Sequence, residues 1–204
     1  MGDFVIEGGV LVRYLGAGGA VTVPDGVGKI GEGAFYNHRT LTAVHLPAGL
    51  TAIGQQAFDG CAALTAIALP AEVRELGVAA FLGCAALTSL TIPAGVARVG
   101  DDAFLNCTGL TSVVLAEGVR EIGERAFADC TGIAALYLPA TLQRIGRDAF
   151  DGCTALAEIT AHTAALTLGE DAFGGCPVAR ITAPAALARR LALACPTAEI
   201  VVQG

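Results

Sequence analysis

The residues of this chain that could do chemistry are its three histidines and seven cysteines, and their spacing does not predict a catalytic or metal centre. The histidines, His38, His45 and His162, are scattered along the sequence. No His-Glu-x-x-His, Walker or Cys-x-x-Cys motif occurs, so the sequence assembles neither a zinc site nor a phosphate-binding loop. We therefore expect no enzyme activity, no metal and no cofactor.

Six of the seven cysteines recur every 23 residues, in an apolar column that indicates a structural role. Free cysteine packs as a small hydrophobe, and a buried thiol in apolar surroundings has a raised pKa and low reactivity. Persistent free thiols are typical of a reducing compartment or an anaerobic habitat. Disulfides between neighbouring units are the alternative. Cys195 lies outside this column and could be exposed. The six are Cys61, Cys84, Cys107, Cys130, Cys153 and Cys176.

Phenylalanine recurs with the same period of 23 residues, and from its second copy onward a cysteine follows three residues later. A unit this short cannot bury its own apolar face, so the copies must stack and form one continuous core along a solenoid. The position that holds cysteine in later units is His38 in the first, where we expect a partly buried substitute. The seven are Phe35, Phe58, Phe81, Phe104, Phe127, Phe150 and Phe173.

Each unit contains a predicted strand in which apolar residues alternate with small or polar ones, as at Leu90 and Ile92. This is the period of two of a strand, and strands that return once per coil in the same direction form a parallel sheet. A proline such as Pro93 ends most of these strands, because it lacks the N–H that pairing requires. Ala116 and His162 replace it in two units.

A second short apolar segment follows the corner and ends at a recurring glycine, which indicates a positive φ or a close backbone approach. A short helical or 3₁₀ turn bearing Ala-Phe is predicted next. The residue two positions after the phenylalanine is always Gly, Asn or Asp, the types that tolerate the left-handed conformation. The recurring glycines are Gly54, Gly77, Gly100, Gly123 and Gly146.

The order Leu-Pro, Ile-Gly, Ala-Phe and Cys at this spacing resembles the BspA-like subclass of leucine-rich repeats, over about Val21 to Pro184. The resemblance implies an α/β-type but mostly β fold: a right-handed solenoid with a parallel sheet, short second strands and helical or 3₁₀ turns. It also implies protein binding, often by adhesins exposed on bacterial cells.

Both ends of such a stack must be covered, because an exposed core aggregates. Residues 4–14 predict a hairpin around Gly8-Gly9. Residues 185–194, rich in alanine and leucine, predict a helix, and residues 199–202 a closing strand. We divide the chain into a capping hairpin (1–20), seven repeats of about 23 residues (21–184) and a C-terminal cap of helix plus strand (185–204).

The composition limits the kinds of partner that we expect the protein to bind. The net charge is −7, from 19 acids and 12 bases, and the arginines alternate with acids, so we expect no nucleic-acid binding. No apolar run reaches the roughly 18 residues of a membrane span, so we expect no membrane insertion. An acid stands where a signal peptide carries basic residues, which favours a cytoplasmic location over classical secretion. We expect a monomer.

The outward residues of the main strands form the expected recognition face, since a curved parallel sheet presents a wide, rigid surface. Most of them are small, and interface anchors are usually Tyr, Trp or Arg. We predict contact with a protein partner of unknown identity through Thr91, Val114, Tyr137 and Glu158. Alternatively, this face is small only so that the strands pack evenly. A structural or scaffolding role inside the cell is the second hypothesis, which the free thiols and the missing export signal favour.

One further column alternates in sign over four successive units. Opposite charges across neighbouring strands attract, although each exposed pair contributes only a few tenths of a kcal/mol. We interpret the column as a control of register on the second face. Its members are Glu75, Arg98, Glu121 and Arg144.

Overall fold

The computed structural model describes residues 2–163 and 165–203, which form a mostly β parallel solenoid of about eight turns with one helix. Met1, Ala164 and Gly204, which fall in the predicted hairpin, repeat and C-terminal segments, lie outside the described residues. Seven of these turns, here called coils and numbered from the one that contains Phe35 to the one that contains Phe173, each carry a main strand, a corner, a short second strand and a turn segment with Ala-Phe.

The strands and the helix follow one another in a regular order. In chain order they are β1 (Phe4–Glu7), β2 (Val10–Tyr14), β3 (Gly19–Thr22), β4 (Lys29–Ile30), β5 (Leu41–His45), β6 (Ala52–Ile53), β7 (Ala66–Ile67), β8 (Glu75–Leu76), β9 (Ser89–Ile92), β10 (Arg98–Val99), β11 (Ser112–Leu115), β12 (Glu121–Ile122), β13 (Ala135–Leu138), β14 (Arg144–Ile145), β15 (Glu158–Ala161), β16 (Thr167–Leu168), β17 (Arg180–Pro184), α1 (Ala185–Ala194) and β18 (Glu199–Gln203).

The predicted parallel pairing is confirmed for both sets of strands, but neither sheet is continuous. Hydrogen bonds join the main strands in three groups, β3-β5-β7, β9-β11 and β13-β15-β17-β18. The second strands pair as β2-β4-β6-β8, with β1 added antiparallel to β2, and as β10-β12-β14-β16. Between the third and fourth coils both sheets are interrupted. The turn segments still bond there, as at Phe81 N–H to Ala103 at 2.8 Å, and the N–H of Thr88 donates to Thr65 at 3.4 Å.

Two coils lack the proline that ends the other main strands, and there the freed N–H extends the pairing. The N–H of Ala116 donates to the carbonyl of Ile92 at 3.1 Å, and that of His162 to Leu138 at 3.1 Å. Each bond lies one position beyond the end of a strand. This is the bond that proline cannot form in the other coils.

The Ala-Phe segment is a series of single turns, where a helical or 3₁₀ turn is predicted from the sequence. In the second coil the N–H groups of Ala57 and Asp59 donate three residues back, at 3.3 and 3.1 Å. The alternate N–H groups, of Gln56, Phe58 and Gly60, point along the solenoid and donate to carbonyls of the next coil at 2.9, 2.8 and 2.8 Å. The segment is therefore a third ladder between coils.

Two left-handed residues flank each phenylalanine, and they prevent a helix because a helix needs consecutive right-handed residues. The position two after the phenylalanine has φ from 56° to 71°, as the Gly, Asn and Asp there predict. The position two before it has φ from 50° to 57° in all seven coils. Gln, Ala and Arg stand there in three coils, and these types do not favour this conformation. The seven residues at this position are Gly33, Gln56, Ala79, Asp102, Arg125, Asp148 and Asp171.

The phenylalanine rings stack face to face along the whole array. Successive ring centroids lie 4.9–5.5 Å apart, and neighbouring rings are inclined by only 3–11°. At the N-terminal end Tyr14 continues the column on Phe35 at 5.1 Å, and Phe4 covers Tyr14 at 5.2 Å. The predicted continuous core is confirmed, with the aromatic column at its centre.

The C-terminal end combines α1 and β18, the elements expected there. Leu187 and Leu191 of α1 are buried, and the guanidinium of Arg190 donates to the carbonyl of Leu166 at 3.2 Å. The carbonyl of Leu166 lies in the last coil, where no further coil can donate to it, and the guanidinium takes that place. Cys195, which the sequence left as a candidate exposed thiol, is 4% exposed beneath this cap.

The recurring glycine of each coil is required by close approach and not by a positive φ. None of the five has a φ in the left-handed region. A β-carbon on Gly77 would lie 2.5 Å from the nitrogen of Gln55 and 2.6 Å from the carbonyl carbon of Gly54. Backbone occupies that space, so a side chain fits only if the coils separate.

We expect Gly77→Ala to lower the free energy of unfolding by about 1–3 kcal/mol, the usual cost of overpacking. The matched control is Gly49→Ala, because nothing lies within 4 Å of a β-carbon built on Gly49. Urea unfolding of both variants tests this. Similar midpoints for the two variants would contradict the close-approach explanation.

Candidate functional site

The predicted recognition residues lie on the outward face of the main strands, and three of them share one row. Thr91 is paired directly with Val114 in the register of β9 and β11. Tyr137 occupies the equivalent position in β13, where its partner in β15 is Thr160. We call Thr91, Val114, Tyr137 and Thr160 the strand-face row. Glu158 lies in the adjacent row, two residues before Thr160, opposite Ala135.

Two large side chains of this row are half exposed, because they lie on the outward side of the pleat while their strand neighbours face the core. Val114 is 51% and Tyr137 50% exposed, whereas Leu136 and Leu138 on either side of Tyr137 are buried. Alternation along a strand requires this arrangement. The row therefore presents apolar surface on a rigid backbone.

The imidazole of His162 packs against the ring of Tyr137. The two ring centroids lie 4.8 Å apart with planes inclined by 35°. His162 is the residue that replaces proline at the end of β15, and its N–H is bound to Leu138. Ring contact on one side reduces the conformations open to the tyrosine, which lowers the entropy that a partner must remove on binding.

A shallow trough runs along the same face beside the strand-face row. It consists of two adjoining depressions of 410 and 280 Å³, both lined by Ala68 and Ser89. The second reaches Thr91 and Val114, and the first ends at His45. The trough lies where the outward residues are small, since Ala43, Ala66, Ala68 and Ser89 line it. It can accept apolar side chains of a partner.

Charge lies at one end of this face. Glu158 is opposite Arg180, which is opposite Glu199, in the register of β15, β17 and β18. The guanidinium of Arg180 pairs with the carboxylate of Glu199 at 3.3 Å. Glu158 is exposed, so its carboxylate is free to meet a donor on a partner near Tyr137.

Sequence reasoning singled out neither Thr160 nor His162 as members of this site. Thr160 could have been found by counting, because it lies 23 residues after Tyr137. His162 could not, since its contact with Tyr137 depends on how one coil turns over the next. The residue of β15 that is paired with Tyr137 is therefore Thr160, and Glu158 lies one row away.

The repeating cysteines have a structural role that goes beyond filling space. All seven are free, and each of the six in the column donates its S–H to a phenylalanine carbonyl of the preceding coil, at 3.1–3.2 Å. Burial raises the pKa of Cys61 to about 12 and that of Cys130 to about 12. A thiol that keeps its proton is a poor nucleophile.

The histidines remain separate from one another. His38 packs its ring on Tyr14 at 4.9 Å and is half-buried, as expected of a substitute for cysteine. His45 lines the trough, and His162 contacts Tyr137. Within residues 2–163 and 165–203, no group of three or more His, Cys, Asp and Glu side chains could hold a metal ion.

The alternating charge column on the second face is an ion-pair network over three of its four members. Glu121 lies between Arg98 at 3.3 Å and Arg144 at 3.6 Å. Glu75 has no such contact in the described chain, since Arg98 pairs with Asp101 at 2.6 Å. The exception falls where β8 and β10 are not hydrogen-bonded. These exposed pairs support register more than stability.

The chain belongs to the BspA type leucine rich repeat family. The sequence model of that family, "BspA type Leucine rich repeat region", matches in six copies over residues 19–134 and 75–190. No curated protein sequence matches the chain significantly.

Solved structures of bacterial leucine-rich repeat proteins share the fold. A leucine rich repeat protein of T. pallidum is 34% identical, with 95% of this chain and 91% of that chain covered and a TM-score of 0.79. A leucine-rich repeat protein from Eubacterium ventriosum is 30% identical over 82% of this chain and 46% of that chain, with a TM-score of 0.76. A leucine rich cell surface protein from Faecalibacterium prausnitzii is 20% identical over 98% and 93%, with a TM-score of 0.57.

Across the part of the chain that the structure describes, no helix combines the length and the apolar character of a membrane span.

Proposed function

We propose that this protein is a non-catalytic binding module that recognises a protein partner through the strand-face row and the trough beside it. The observation that carries the proposal is a pair of half-exposed side chains: Val114 at 51%, which lines the depression of 280 Å³, and Tyr137 at 50%, at the equivalent position of β13. Tyrosine is enriched among the residues that dominate interface energetics.

The lining of the trough supports binding over catalysis. Its residues are Ala, Val, Leu, Ile, Ser and Thr, and His45 is the one titratable side chain among them. A hydrolytic or transfer site needs several convergent polar groups with shifted pKa values. Five of the six thiols of the column are buried, and the trough is lined by none of the six.

Adhesion on a bacterial surface is the form of binding that family membership suggests. The Faecalibacterium prausnitzii neighbour is a cell surface protein, although at 20% identity it supports the fold alone. The free thiols favour the alternative, an intracellular scaffold, because seven unpaired cysteines suit a reducing compartment. Protease treatment of intact host cells separates the two roles, since an adhesin is cleaved and an internal scaffold survives.

We expect Tyr137→Ala to weaken partner binding by about tenfold, or about 1.4 kcal/mol. Wild-type and variant proteins immobilised on beads, with an extract of the native host, give the measurement. Tyr36→Ala is the matched control, because Tyr36 is 59% exposed but lies on the turn face of the first coil. Equal loss of a captured partner in both variants, or in neither, would contradict recognition by the strand-face row.

A further inference from the structure

The last coil ends in a row of three main-chain donors that have nothing to bind. In each of the six preceding coils, three N–H groups donate to carbonyls of the next coil. They belong to the phenylalanine, to the residue two positions before it and to the residue two positions after it. In the seventh coil the equivalent groups belong to Asp171, Phe173 and Gly175. Within residues 2–163 and 165–203, no carbonyl or side-chain acceptor receives them.

This donor row keeps the geometry that binds a segment elsewhere in the solenoid. Asp171 has φ 50° and Gly175 φ 66°, within the ranges of their counterparts in the preceding coils. The six earlier rows hold their acceptors at 2.6–3.0 Å. The last row is therefore preformed, and an open row of main-chain N–H groups is a template on which another chain can pair.

A cavity lies against this row. Its volume is 530 Å³, and its walls include Leu168, Ala172, Phe173 and Leu193. Leu193 lies on α1 and is 85% exposed. Helix α1 follows the last coil, where another coil would otherwise stack. It does not cover the donor row, and Leu193 lies at the rim of the cavity.

We propose that this end of the solenoid is a second binding site, which takes a peptide segment of another protein that presents three alternate carbonyls and one large apolar side chain. The carbonyls accept the N–H groups of Asp171, Phe173 and Gly175, and the apolar side chain enters the cavity beside Leu193. Such binding adds one more row to an existing hydrogen-bonded ladder, as in strand addition to a sheet edge. It is independent of the strand-face row.

The probe is the acetylated and amidated heptapeptide with the sequence of residues 169–175. The same segment already presents the carbonyls of Glu170, Ala172 and Gly174 to the sixth coil. Titrated into ¹⁵N-labelled protein, it should shift the amide resonances of Asp171, Phe173 and Gly175 and slow their hydrogen exchange. The amides of the sixth coil, which are bonded already, should change little.

Two variants make the test specific. Leu193→Asp should weaken the peptide about tenfold, whereas Leu15→Asp, at a residue 60% exposed at the opposite end, should have no effect. Both side chains are exposed, so neither change should unfold the protein. Tyr137→Ala protein should bind the peptide normally, which separates this site from the proposed strand-face function.

Three results would overturn the proposal. One is an absence of shifts at the three amides at millimolar peptide. Another is hydrogen exchange in the free protein as slow at Phe173 as at Phe150, since that would show the donor row to be paired already. The third is the same set of shifts on concentrating the protein alone, which would identify the occupant as a second copy of the chain.

Discussion

Phe104→Ala should lower the free energy of unfolding by roughly 3–5 kcal/mol, the range for emptying a large aromatic side chain from a packed core. Its ring is fully buried and stacks on Phe81 at 5.2 Å and on Phe127 at 5.1 Å. The next coil is held by both sheets and by the turn ladder, and the preceding coil by the turn ladder, as at Phe81 N–H to Ala103 at 2.8 Å, so neither can collapse far into the space. Urea unfolding followed by circular dichroism gives the measurement.

Phe173→Ala is the internal control, and it should cost clearly less. Phe173 stacks on one ring of the column, Phe150, at 5.5 Å, and it borders the 530 Å³ cavity. Removing it deprives fewer neighbours of contact, and terminal units of a linear array support fewer interfaces. Equal losses of stability in the two variants would contradict a core built by stacking coil upon coil.

Alkaline pH should destabilise the protein steeply through its column of thiols. An unfolded thiol loses its proton from about pH 9, whereas burial raises the pKa of Cys61 and of Cys130 to about 12 in the fold. Between these values the unfolded chain binds fewer protons than the folded one, so the free energy of unfolding falls as pH rises. Each such thiol contributes a slope of roughly 1.4 kcal/mol per pH unit.

The stabilisation is therefore complete below about pH 9 and is lost as the pH approaches about 12. Unfolding by urea in reducing buffer, at about pH 8 and about pH 10.5, measures the slope. A Cys61→Ala/Cys130→Ala double variant should show a shallower dependence, by roughly 2.7 kcal/mol per pH unit. If the variant and the wild type lose stability equally, the buried thiols do not carry the effect.

Much of the fold could be predicted because the same short pattern is repeated, and because the residue type at each position of the repeat has one physical explanation. The period of Phe104 and its equivalents predicts the stack, and the alternation at Leu90 and Ile92 predicts the strand. Turn residues such as Asn106 predict the left-handed position after the ring, which has φ 62° there. The free state of the cysteines also follows from their apolar column.

The second left-handed position could not be predicted, because nothing local to the residue imposes it. Gln56, Ala79 and Arg125 adopt φ values of 53°, 55° and 50°, although none of these types favours that region. Their N–H groups are aimed along the solenoid at the next coil, and those bonds offset the strain. The expected helical turn is absent for the same reason.

By itself, the sequence determined the period, the core columns and the placement of Thr91, Val114 and Tyr137 on one outward face, since side-chain alternation and a constant repeat length are properties of the chain. Only the tertiary structure decided that His162 packs on Tyr137, that a trough runs between Ala43 and Ser89, and that the last donor row has no acceptor among the described residues. Each of these depends on how one coil lies over the next, and contacts between coils are not encoded in any single repeat.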